Sequence, residues 1–106
     1  MKLSVIERLT LLGILPEQGS LMTIKIVSKL REELSFDEEE HATLQFQPSE
    51  DGKRLQWNMP YPDKDVKIGV KAISIIYEAL RTADENERLT EQHLPLCEKF
   101  EYPENE

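Results

Sequence analysis

Positive charge is scarce in this chain: 13 lysines and arginines stand against 21 aspartates and glutamates, a net charge of −8 over 106 residues. That balance favours solubility and repels nucleic acid and anionic lipid at long range, so binding either one needs a local basic patch. Lys25, Lys29 and Arg31 form one such patch in sequence, and Lys64, Lys67 and Lys71 form another. Neither is interleaved with aromatics, and both read first as solvated helix faces. Direct nucleic-acid binding is not expected.

Cysteine is scarcer still. Cys97 is the only one, which rules out an intramolecular disulfide and suits a reducing compartment. The apolar stretch MKLSVIERLTLLGILP is broken by Glu7 and Arg8 before it reaches the length of a signal core or a membrane span. A cytoplasmic protein is expected, with no membrane partner. Gly13, Gly19, Gly52 and Gly69 are the four glycines, each at the edge of an element, and no phosphate-cradling loop or HExxH helix is present.

What is present is enough apolar material, 39% of residues, for one core, with 32% charged residues to cover it. One compact domain over residues 1–101 is expected, followed by a frayed acidic tail at 102–106.

Ser4 and Glu7 have the spacing of a capping box, which starts a helix whose face carries Val5, Ile6, Leu9 and Leu12 and which Gly13 and Pro16 close. Leu21, Ile24, Val27, Leu30 and Leu34 define a second amphipathic helix over 21–34. Ser35 is read as the cap of a short third helix, whose first turn holds Asp37, Glu38, Glu39 and Glu40 next to the positive helix terminus.

Beyond His41 the period changes to two. Leu44 and Phe46, then Leu55, Trp57 and Met59, alternate with polar residues, and the spacing predicts a hairpin at about 43–59 turned by Pro48, Asp51 and Gly52. Val66 and Ile68 are expected to add a third strand. Residues 70–84 form the strongest helix, with Val70, Ile73, Ile76, Tyr77 and Leu80 as its stripe. Thr90 caps a last helix that carries Leu94, Leu96, Cys97 and Phe100, with Pro95 delaying or kinking its start. The expected fold class is α+β: a small antiparallel sheet, a hairpin plus a third strand, packed against four to five helices.

The segments LTLLGILP, KIVSKLREELSFDEEE and LTEQHLPLCEKF together resemble a family of short, uncharacterised proteins encoded by tailed bacteriophages and prophages. The resemblance implies a phage-related context. Its motifs consist of core and capping residues, so it brings no catalytic or binding residues with it.

His93 and Cys97 lie four apart, and two ligands do not make a metal site, so neither metal nor cofactor is expected. Cys97 sits among apolar residues, without the base and orienting group that a nucleophile needs. No spacing singles out a carboxylate pair for glycoside chemistry. A small enzyme or metal protein is therefore the least favoured class.

A winged-helix reader would have to push the acids at 37–40 against phosphates. Those acids suit an acidic nucleic-acid mimic that inhibits a host defence or DNA-processing protein. Such a mimic would use Glu32, Glu33 and residues 37–40, with a second cluster at Asp84, Glu85, Glu87 and Glu91. The favoured class is a non-enzymatic accessory protein that binds another macromolecule, most simply a host or phage protein. Its candidate contact residues are Tyr61, in the proline-flanked MPYPDK loop, and Glu38, Glu39 and Glu40, while Trp57 is expected in the core.

Overall fold

The computed structural model describes residues 1–103, and residues 104–106 of the expected tail lie outside the described residues. In chain order the elements are β1 (Lys2–Leu3), α1 (Val5–Ile14), α2 (Leu21–Leu34), α3 (Glu38–Leu44), β2 (Gln47–Pro48) and β3 (Leu55–Gln56). There follow β4 (Lys64–Asp65), α4 (Val70–Glu85), a 3-10 turn (Glu91–His93) and α5 (Leu94–Lys99). The protein is α+β, with the helices dominant.

The core joins α1, α2, α4 and α5 through Leu11, Leu30, Leu34, Ile76, Leu80 and Leu96, with Leu3 and Val66 sealing one side. α2 has the bounds that its periodicity predicts, capped by Ser20, whose hydroxyl accepts the Thr23 N–H. α4 matches to within a residue, but its seam is rotated. Ala72, Ile76, Leu80 and Ala83 are buried, while Val70 is 81% exposed and Ile73 sits at the surface. The apolar arc on this helix is wide, and small alanines let neighbouring helices come close, so the seam runs through Ala72, Ile76, Leu80 and Ala83 and leaves Val70 and Ile73 outside.

The sheet differs from the expected one. β4 pairs antiparallel with β1, and β2 pairs separately with β3; the third strand expected through Val66 and Ile68 does not form there, and Lys64–Asp65 instead makes a two-stranded ribbon with the N-terminal residues that does not extend the hairpin. The hairpin itself is short because α3 runs on through Leu44, and Gln45 ends it in the left-handed conformation at φ 50°. Leu44 and Phe46 therefore belong to a helix end and a linker. Leu44 is buried, whereas Leu55 is 44% exposed and Met59 is 77% exposed. Gly52, at φ +71°, closes the turn by donating its N–H to the Ser49 carbonyl, a conformation that favours glycine.

Two caps are relocated. Asp37, not Ser35, caps α3, in a reciprocal box with Glu40: the Glu40 N–H donates to Asp37 Oδ1 at 2.8 Å, and the Asp37 N–H donates to Glu40 Oε1. Ser35 is the C-cap of α2, and its hydroxyl donates to the Arg31 carbonyl. Pro95 causes no kink, because the 3-10 turn after Thr90 delays α5 and places the proline in its first turn, where no N–H is needed. Tyr102, assigned to the tail in sequence, packs against the core, with its ring on Tyr77 at 5.1 Å and its hydroxyl donating to Asp84.

Candidate partner-binding site

α1 buries two charged residues among its apolar ones. The Ser4–Glu7 box forms as its spacing predicts. The residues α1 buries, however, are Val5, Glu7, Arg8 and Leu11, whereas Ile6, Leu9 and Ile14 are only half-buried.

The burial of Arg8, 1% exposed, has an identifiable cause. Its Nε donates to the Leu34 carbonyl at 3.1 Å and its Nη2 to the Ser35 carbonyl at 2.8 Å, so the guanidinium caps the C-terminus of α2. Nη1 and Nη2 also reach the Glu40 carboxylate of α3, and the guanidinium lies 3.9 Å from the centre of the Phe36 ring. A guanidinium's fixed fork and flat face suit this combination of carbonyls, carboxylate and ring.

Arg31 of α2 makes the converse tie, donating to the Leu12 and Leu15 carbonyls at the end of α1. Each helix thus supplies the arginine that satisfies the other's last carbonyls. Lys64 adds a bond to the Glu33 carbonyl.

Glu7 is held comparably. Its Oε1 accepts from the Ser4 N–H at 2.9 Å and from Lys99 of α5 at 2.7 Å, while Oε2 is buried without a protein partner. Burial pushes its carboxyl up, but the Lys99 and Ser4 bonds outweigh it, and the net shift is downward. The Arg8 contact holds Glu40 below the ordinary range, against a smaller opposing push from burial.

With its charged side chains turned inward, α1 presents aliphatic residues outward to an open groove. A hollow of about 510 Å³ is floored by Ile6, Leu9, Gly13 and Ile14 and walled by Leu55 and Trp57 of the hairpin. A second hollow, of about 780 Å³, continues past the end of α1 towards α4. Gly13, Ile14 and His93 line both.

The wall is firmly backed. Trp57 packs on Phe46 at 5.9 Å, Phe46 on Phe36 at 5.1 Å, and His41 touches both phenylalanines edge-on. This aromatic row runs back to Arg8 through Phe36. The cation that locks the helices is therefore in contact, through the row, with the wall of the groove.

The candidate residues scatter. Glu38 and Glu39 are exposed in the first turn of α3, whereas Glu40 is turned inward onto Arg8. Tyr61 is half-buried in the loop before β4, and Trp57 is half-buried at the groove wall rather than in the core. Within the basic patches Arg31 is committed to α1, while Lys29, Lys67 and Lys71 converge on a third hollow beside Val70.

His93 Nδ1 accepts the Thr90 N–H at 3.0 Å. The Cys97 thiol is half-buried against the core, its pKa raised by burial and then by Asp84. Among the described residues no group of three acids, histidines or cysteines is arranged to hold a metal ion. Among them too, no helix is long and apolar enough to cross a membrane. No family model, curated protein or solved structure matches the chain.

Lys53, Arg54 and Gly13 are groove residues that sequence reasoning passed over. The available signal was Glu7-Arg8 inside an apolar helix, since two adjacent charges with ready capping roles leave the aliphatic residues beside them to face outward.

Proposed function

We propose that this chain is a non-enzymatic accessory protein, of the phage or prophage kind its sequence resembles, that acts in the bacterial cytoplasm by holding another protein in the groove along α1. The observation that supports this reading is Gly13. It lies in the last turn of a helix, its φ is not positive, and a Cβ built on it meets nothing within 4 Å. Neither backbone geometry nor close packing inside the chain accounts for a residue that costs a helix about 0.5–1 kcal/mol relative to alanine. Close approach by an external group does, since a bare backbone there deepens the floor shared by the two hollows.

The acidic mimic has less support. Acids of both clusters are engaged within the chain: Asp37 as the cap of α3, Glu40 by Arg8, and Asp84 by the Tyr102 hydroxyl.

The test is affinity capture from bacterial lysate with nuclease present, using three baits: the wild type, Gly13→Leu, and Glu38→Lys with Glu39→Lys. Docking in the groove predicts a partner that survives high salt, is retained by the charge-reversed bait, and is lost from Gly13→Leu. A DNA-binding protein lost from the charge-reversed bait and washed off by salt would establish the mimic instead.

A further inference from the structure

The charge at the hairpin end of the groove points to a kind of occupant, whereas in the hollow beyond α1 Glu17 and Glu78 stand beside Arg88. The hollow under the hairpin is lined by Lys53, Arg54, Gln92 and His93 beside its aliphatic floor, and no aspartate or glutamate lines it. In a chain with 21 acids to 13 bases this is a local inversion of the overall balance. Among the described residues neither Lys53 nor Arg54 forms an ion pair, whereas Arg8, Lys99 and Arg81 all do.

His93 adds a donor. Its Nδ1 accepts the Thr90 N–H, so in the neutral ring the proton sits on Nε2. Thr10 adds no competing acceptor demand, since its hydroxyl donates to the Ile6 carbonyl. An apolar floor with cations and donors on its rim complements apolar side chains flanked by carboxylates.

Resting on the groove reading above, we infer that the occupant is an acidic amphipathic segment of a partner protein. Its apolar side chains lie on Ile6, Leu9 and Ile14 against Trp57, and its carboxylates meet Lys53 and Arg54. The net negative charge of the whole chain opposes such a partner only at long range. At physiological salt charges farther apart than about 8 Å are screened, and the local cations then govern contact.

Trp57 is the only tryptophan, so its emission reports occupancy directly. The experiment titrates the protein with a blocked synthetic peptide of leucine and glutamate, leucines three and four residues apart, and with its leucine–lysine twin. Trp57 emission and the methyl NMR signals of Ile6, Leu9 and Ile14 are followed, and sedimentation is run in parallel. The expected result is a shift of those signals by the glutamate peptide, a preference of about tenfold over the lysine peptide, and reversal of that preference in the Lys53→Glu, Arg54→Glu double variant.

If the lysine peptide binds the same floor equally well or better, the acidic occupant is overturned while the groove stands. If neither peptide moves Trp57 or the methyls at millimolar concentration, both readings fall. A concentration-dependent dimer that Gly13→Leu abolishes would assign the groove to a second copy of this chain and overturn the inference.

Discussion

The two sides of α1 obey opposite rules. Inward, charged residues do structural work: Arg8 and Glu7 tie α1 to α2, α3 and α5 through fixed hydrogen bonds. Outward, Ile6, Leu9 and Ile14 line an open groove. A buried guanidinium costs heavily unless its N–H groups are bonded, and the end of α2 together with Glu40 offers Arg8 its acceptors, whereas Glu7 keeps one oxygen without a protein partner. Ile6, Leu9 and Ile14 are then left half-buried along an open groove, a contiguous apolar surface of the kind that marks a candidate contact site.

Removing the inward side should have the largest effect. Arg8→Ala strands the Glu40 carboxylate and two helix-end carbonyls, and breaking a buried pair in this way costs about 3–5 kcal/mol, read as a fall in the urea midpoint. Arg8→Lys should recover little of it, because an ammonium cannot reproduce the fork or the stacking on Phe36.

Acid should unfasten the same ties. Glu7 and Glu40 both have carboxyls lowered from 4.5 in the folded state. Their contribution is therefore complete above that unfolded value and is lost as pH falls through the lowered folded values. Melting temperature should be flat near neutrality and drop below about pH 4.5, and Glu40→Gln should weaken that drop.

The caps give a smaller contrast. Asp37→Ala should cost about 0.5–2 kcal/mol through the N-cap of α3, and Ser35→Ala less, since Ser35 terminates α2 with its hydroxyl on Arg31. Equal losses in thermal melts would return the cap to Ser35.

On the outward side the sign reverses. Gly13→Ala should raise stability by at most about 0.5–1 kcal/mol, because the unfolded chain then has less backbone entropy to lose and no neighbour is displaced.

The same contrast explains which parts of the molecule were legible in the sequence. α2 and α4 have long periodic stripes, and their bounds followed from these to within a residue. The Ser4–Glu7 box was equally readable, because its geometry is wholly local. The buried face of α1 was not, since whether Glu7 and Arg8 point to solvent depends on carbonyls 26 and 27 residues away and on Lys99, 92 residues away. The hairpin misled for a related reason: period two across residues 44–46 coincides with a helix end followed by a left-handed residue. Of the candidate contacts, Glu38 and Glu39 are exposed as expected of a first helical turn, but Glu40 looked identical in sequence and is distinguished only by lying within reach of Arg8.

The most direct test of this division is a paired measurement on Gly13→Leu, its urea midpoint and its capture of the protein that the proposed groove would hold. The account predicts a midpoint equal to or above that of the wild type, with capture lost, because a side chain at this position leaves the backbone into the groove with no neighbour within 4 Å of its Cβ. A lowered midpoint with capture intact would mean that the outward face of α1 serves the fold and that the partner binds elsewhere.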